Sequence, residues 1–241
     1  MKFLYVSFVS TDKSYSGILN KVKSQTAAVS ALGHEADYTC LDGDQVCLVH
    51  ADGSAQSLAL PEGLKWRQRQ KHMANLVLEL TRKQSYDCVY IKGFLATPAF
   101  LRIARGFKER SGACRVAFEV ATYPYQYEYR QLLKADLKAK NLRGLCGHLL
   151  ELWQHGTTFT GFSRYVDRIV VFGAPVKWLW GIPAMQSQNG VSVKNIPLRT
   201  FTGDPAVCSL LGVAGTSFYH GYWRVVEGMH EYYQRGGQQN I

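Results

Sequence analysis

No apolar stretch in the 241 residues approaches the roughly 20 that a membrane-crossing helix needs. The opening "MKFLYVSFVS" carries one lysine and too short an apolar run for a signal peptide, and predicts a first buried strand instead. The six cysteines (Cys40, Cys47, Cys88, Cys114, Cys146, Cys208) form no CxxC pair and no metal-ligand spacing. That argues against a disulfide framework and against a metal site, and for reduced thiols in a cytoplasmic protein. A GxGxxG fingerprint is missing, which removes most of the case for a dinucleotide-dependent dehydrogenase. A P-loop, a Ser/His/Asp triad, internal repeats and low-complexity tracts are missing as well, so those routes to a function are closed.

What the chain does have is positive charge: 28 Lys and Arg against 18 Asp and Glu, a net +10. The basic residues gather at 65–72, 102–110 and 130–143. Nucleic acid, anionic phospholipid, a phosphate-bearing substrate or simply lysine-rich solvated helix faces would each account for them. Aromatic residues do not interleave with the Lys/Arg clusters, which disfavours nucleic acid. The 65–72 cluster, with Trp66, leaves two readings open, a peripheral contact with anionic headgroups and a soluble helix face.

The hydrophobic pattern alternates between strand and helix periods. "FLYVSFV" (3–9) predicts a strand, and Ile18, Val22, Thr26, Val29 and Leu32 predict a helix that stops at Gly33. A strand "EADYTC" follows, then a hairpin over 45–60 turning at Asp52-Gly53. Helices are expected at 66–82, at 98–110 behind Pro98, and over roughly 128–154. Strands are expected at 87–93, 114–121 and 167–173. This order predicts an α/β fold, a Rossmann-like, doubly wound, mainly parallel sheet. "KNIPLRTFTGDPA" (194–206) reads as a linker, giving a first domain over 1–205 and a fresh strand and helix over 206–241.

In such sheets ligands sit beyond the carboxyl ends of the strands. The first of these loops carries Gly17 at the start of a helix, where backbone can approach an anion. The densest polar-aromatic stretch is "FEVATYPYQYEY" (118–129). Its Glu119, Thr122, Tyr123, Tyr125 and Glu128 suit a carbohydrate, with rings on C–H-rich faces and carboxylates on hydroxyls. A tyrosine-rich loop packing on a neighbour is the competing reading. Near the chain's end, His220 and Arg224 lie at a helix N-terminus, a setting that favours phosphate.

Taken in order, "SGILNKVKSQTAAVSALGHE" (16–35), "VYIKGFLATPAFLR" (89–102), "FEVATYPYQYEY", "LWGIPAMQSQNGVSVKNIPLR" (179–199) and "LGVAGTSFYHGYWRVVEGMHEYYQRGG" (211–237) resemble the bacterial family 4 glycosyltransferases of the GT-B fold, the kind that assemble capsule and cell-surface polysaccharides. The resemblance implies a retaining, nucleotide-sugar-dependent transferase that needs no metal and no cofactor beyond its donor substrate. Gly17, His220, Gly221 and Arg224 would meet the donor diphosphate. Lys21, Glu119, Thr122, Tyr123, Tyr125 and Glu128 would border a glycan or lipid-linked acceptor. Asn189 and Gly190 match the family's interdomain "NGVD", with Ser192 in place of its aspartate, and Trp223 replaces another expected aspartate. The family's Glu-x7-Glu donor pair would fall beyond residue 241. The expectation is therefore an acceptor-side part, inactive alone, whose donor half is a further stretch or a separate chain. The runner-up is a non-catalytic module that binds a glycan or a partner.

Overall fold

The computed structural model describes residues 1–93, 95–173, 175–188 and 222–238. Contacts divide the chain into two units, Met1–Val191 and Ser192–Ile241. The first unit is α/β. Strand β1 (Lys2–Val6) leads through a 3₁₀ turn into α1 (Ser16–Ala31), then to β2 (Glu35–Asp42) and the hairpin β3 (Gln45–Val49) and β4 (Ala55–Ala59). Next come α2 (Trp66–Leu80), β5 (Cys88–Gly93), α3 (Pro98–Arg110), β6 (Arg115–Tyr123), α4 (Gln126–Lys138) and α5 (Leu142–Phe162). β7 (Arg168–Gly173), β8 (Trp178–Leu179) and β9 (Ile182–Ser187) complete this unit, and α6 (Tyr222–Gln234) is the described element of the second.

The strands form one sheet in the order β4-β3-β2-β1-β5-β6-β7-β9-β8. β2, β1, β5, β6, β7 and β9 run parallel, while β3 and β4 at one edge and β8 at the other run antiparallel. The chain leaves β1 for β2 on one side and returns to place β5 on the other. The order therefore reverses between β1 and β5, and that is where the crevice of an open sheet lies.

Period-two alternation splits the sheet's side chains between two cores. Leu4, Val6, Val89, Ile91, Val116, Phe118, Ile169 and Val171 join Met73, Val77, Ile103, Phe107 and Phe162 from α2, α3 and α5. On the opposite face Phe3, Tyr5, Ala36 and Cys40 join Leu19 and Val22 from α1. Each fully buried side chain of this size contributes about 1.5–3 kcal/mol, so the larger cluster dominates the stability. Below the β3–β4 hairpin, the buried Asp37 accepts from the Tyr86 hydroxyl at 2.7 Å and the Ala51 N–H at 3.0 Å.

Gly33 follows α1 at φ 82°, the left-handed stop that its position in the pattern predicts. The one clear departure lies at 139–141, where the single helix expected over 128–154 is two. Lys140 takes φ 53°, and the Asn141 side chain accepts from the Gly144 N–H at 3.1 Å, capping a new helix. α5 then runs on to Phe162. The linker at 194–206 and the strand expected after it lie outside the described residues.

Candidate functional site

A groove of about 780 Å³ opens at the β1/β5 reversal. Phe8, just past β1, stacks on Phe100 of α3 with ring centroids 5.7 Å apart, and these rings with Met73, Leu95 and Leu150 make its apolar walls. Polar groups reach it from four places: Lys65, Arg67, Gln68 and Gln70 at the start of α2, Thr97 before α3, Tyr129 from α4, and Glu151 and Gln154 from α5. Glu151 is held by the Tyr129 hydroxyl at 2.9 Å. Lys65 and Arg67 supply positive charge at one side, the amides supply paired donors and acceptors, and Thr97 adds a hydroxyl. An apolar floor with a few convergent polar groups is the usual make-up of a small-ligand site.

On the other face of the sheet, Glu119 of β6 is fully buried. Its Oε1 accepts from Lys92 Nζ at 2.6 Å and Lys21 Nζ at 3.1 Å, and its Oε2 from the Tyr90 and Tyr5 hydroxyls at 2.9 and 3.1 Å. A carboxylate has about four lone-pair sites, and all four are used. Burial alone would raise its pKa, but Lys92, Lys21 and the Tyr90 hydroxyl hold it below the usual carboxylate range. Burial also pushes the Lys21 ammonium below its ordinary value despite Glu119, with the charge of Lys92 adding to the effect. The Lys21 ammonium lies 3.9 Å from the centroid of the Phe172 ring. Burial, and then the charge of Glu119, push the Tyr5 and Tyr90 hydroxyls far up, so both remain donors. One carboxylate thus orients two ammonium groups.

A third cluster joins the end of β6 to α5. The His155 Nδ1 accepts from the Ala96 N–H at 3.1 Å, which leaves Nε2 of the neutral ring carrying the proton that meets the Tyr125 hydroxyl at 2.7 Å. Trp180 sits 4.9 Å from the imidazole centroid and 6.5 Å from that of the Tyr125 ring. Burial pushes His155 below its ordinary 6.5, so it stays neutral. Its unfolded form binds the proton more readily. The stability it confers is complete above pH 6.5 and is lost as pH falls through the folded value. Urea midpoints should therefore decline from about pH 7 to about pH 5, and His155→Leu should flatten that part of the profile. An unchanged slope in the variant would assign the pH dependence to other groups.

The residues singled out in the sequence distribute as follows. Lys21 and Glu119 meet directly, and Tyr123 and Tyr125 contact each other with ring centroids 6.4 Å apart. Glu128 is half-buried, and burial raises its carboxyl. None of the described acceptor candidates lines the groove, to which Tyr129 contributes among the described side chains of 118–129. The Thr122 side chain is outside the described residues. Gly17 lies in the first turn of α1 with open space where a Cβ would stand. Asn189, Gly190, His220 and Gly221 lie outside the described residues, as does the side chain of Arg224.

The 102–110 cluster resolves into structural contacts. Arg105 pairs with Glu109, Lys108 with Asp167, and Arg110 reaches the Leu78 carbonyl. The 65–72 cluster, which supplies Lys65, Arg67, Gln68 and Gln70 to the groove, was singled out only for its charge, and the other groove residues and His155 were not singled out. A signal for His155 was present, since His148, Glu151 and His155 recur at spacing three to four along one side of α5. No protein family, curated protein or solved structure matches this chain.

Proposed function

We propose that the chain supplies the acceptor side of a retaining, nucleotide-sugar-dependent glycosyltransferase of the GT-B type, acting on a glycan or lipid-linked acceptor. The observation that carries this reading is the groove at the β1/β5 reversal. It supports a sugar ligand because the Phe8–Phe100 pair offers a flat apolar face, while Gln68, Gln70, Gln154 and Glu151 offer the dense donors and acceptors that hydroxyls need. Lys65 and Arg67 would hold the phosphate of a lipid-linked acceptor. The ordered resemblance over residues 16–237 and the mostly parallel sheet are consistent with it.

In this reading the acceptor binds in the groove and presents a hydroxyl toward a donor held elsewhere. The part of this unit is orientation, by restricting the acceptor to a few poses. Lys21 and Lys92, locked in place by Glu119, would add preorganised positive charge where negative charge develops on a leaving diphosphate. Glu119 itself, with its oxygens filled, acts as a positioning group.

Gly147 of α5 lines the groove, and a Cβ there would meet open space. Gly147→Phe should therefore obstruct the groove without disturbing the fold, and replacing a mid-helix glycine favours the helix. Glycan binding, screened by saturation-transfer NMR against oligosaccharides and polyprenyl-phosphate-linked sugars, should weaken about tenfold or more, a loss near 1.4 kcal/mol. The melting temperature should hold or rise. Glycan binding that Gly147→Phe leaves untouched would put the acceptor elsewhere. Binding by the wild type with no transfer from any nucleotide sugar in a panel, even when a donor-side polypeptide is supplied, would favour the non-catalytic binding module.

A further inference from the structure

The cations of α2 and α3 divide into two sets. Arg69 pairs with Asp44, Arg105 with Glu109 and Lys108 with Asp167, while Arg110 donates to the Thr81 hydroxyl and the Leu78 carbonyl. Arg67, Lys71 and Arg102 are engaged by no carboxylate among the described residues. These three line one cavity of about 220 Å³. Helical spacing explains why they converge. Arg67, Gln70 and Lys71 stand at i, i+3 and i+4 on α2, and Pro98 and Arg102 at i and i+4 on α3, so each set shares a face. Gln154 of α5 borders the cavity as well. The Arg102 guanidinium donates to Asn75 Oδ1 at 3.0 Å, and with five N–H donors in its fork that bond orients the group without using it up.

Three like charges around a small space repel one another, and no carboxylate among the described residues lines the cavity to offset them. An anion there is attracted by all three. The two arginines match a carboxylate or a phosphate through their planar forks, Lys71 adds a point charge, and Gln70 and Gln154 add amide donors. Size narrows the choice. Whole small ligands occupy about 300–1,000 Å³, and this cavity falls below that range. It shares Arg67, Gln70 and Gln154 with the groove at the β1/β5 reversal. It is therefore a side chamber that fits one group of the groove's ligand.

We propose that this cavity is an oxyanion subsite that takes a carboxylate or phosphate substituent of the glycan in the groove, so that the ligand is an acidic glycan. The inference rests on the groove's being the glycan site. Lys71 and Arg102 line the side chamber and not the groove, so the charge they recognise is additional to any lipid-linked phosphate beside Lys65. They also act as selectivity residues, because a neutral sugar in the groove leaves both of them without a partner anion.

The test is an NMR titration with three versions of one oligosaccharide that differ at a single unit: glucose, glucuronate or glucose 6-phosphate. The wild type should bind at least one acidic version about tenfold more tightly than the neutral one, and the advantage should shrink at high salt. Whichever acid gains identifies the group as carboxylate or phosphate. Lys71→Gln/Arg102→Gln should erase the advantage and leave the affinity for the neutral version unchanged. Both side chains are exposed, so matching melting curves serve as the folding control. Gly147→Phe should weaken all three ligands. Equal binding of the three by the wild type, or an advantage that survives the double variant, overturns the subsite and leaves the glycan reading of the groove standing. Acidic binding that Gly147→Phe leaves untouched overturns the link between cavity and groove. Binding of none of the three overturns the reading of the groove and this inference with it.

Discussion

Glu119→Ala is expected to lower the unfolding free energy by about 3–5 kcal/mol, the range seen when one partner of a buried ion pair is removed. The substitution takes away the common acceptor of two ammonium groups and two hydroxyls in one step. Lys21 and Lys92 are mostly buried, with 21% and 15% of their side chains exposed, so water replaces the lost contact only in part. Urea denaturation would show it as a lower midpoint at unchanged m-value. Combining Glu119→Leu with Lys21→Met, Lys92→Met, Tyr5→Phe and Tyr90→Phe should recover most of the loss, because apolar groups of similar volume leave no orphaned charge or hydroxyl. A single-variant loss below about 1 kcal/mol would mean that the lysines rotate out to solvent and that the cluster is no rigid platform.

The same carboxylate fixes a sign in the acid range. Its folded pKa lies below its ordinary 4.5, so the unfolded chain binds the proton more readily. Its contribution is complete above pH 4.5 and is lost as pH falls through the folded value. Asp167 acts in the same direction. Burial would raise its carboxyl, but Lys108, the Val116 N–H and Arg115 hold it below 3.8. Glu119→Gln should remove its own part of the acid slope and leave that of Asp167.

The alternation of periods made the fold legible, because each strand and helix of an α/β layer announces itself locally. Pro98 at the start of α3, Gly33 after α1 and Asp52-Gly53 in the β3–β4 turn mark boundaries by conformations that few other residues adopt freely. The break between α4 and α5 lacked such a mark. Ala139-Lys140-Asn141 contains neither proline nor glycine, and only the side-chain cap from Asn141 shows that a new helix begins. The groove was hidden for a different reason. Phe8, Gln68, Leu95 and Leu150 come from four segments, and only the sheet order brings them together. Glu119 stood out as a carboxylate among tyrosines, but its saturation depends on Tyr5, Lys21 and Lys92, up to 114 positions away. Along α5 a helical period was readable, yet a period does not say which face turns inward. The partners of His148, Glu151 and His155 decide that.

Trp180 carries the second large expectation, because a bulky residue at φ 54° is an outlier held by its surroundings. It forms the β8–β9 turn with Gly181 at φ 73°, so both central residues are left-handed, as a tight two-residue hairpin requires. Asparagine or glycine would take that conformation at lower cost. The indole stays because it fills the junction between β6, α4 and α5. Its centroid lies 4.9 Å from His155, 5.9 Å from Phe162, 6.0 Å from Phe118 and 6.5 Å from Tyr125. Trp180→Ala should cost about 3–5 kcal/mol for the lost packing. Trp180→Gly separates the two contributions. In an ordinary strand glycine is worse than alanine by about 0.5–1 kcal/mol, but at a positive φ that penalty vanishes or reverses. The glycine variant should therefore be at least as stable as the alanine variant, though both fall well below the wild type. If glycine proves the worse of the two by about 1 kcal/mol, the turn relaxes to ordinary dihedrals once the ring is gone, and Trp180 sets the backbone conformation as well as filling the core.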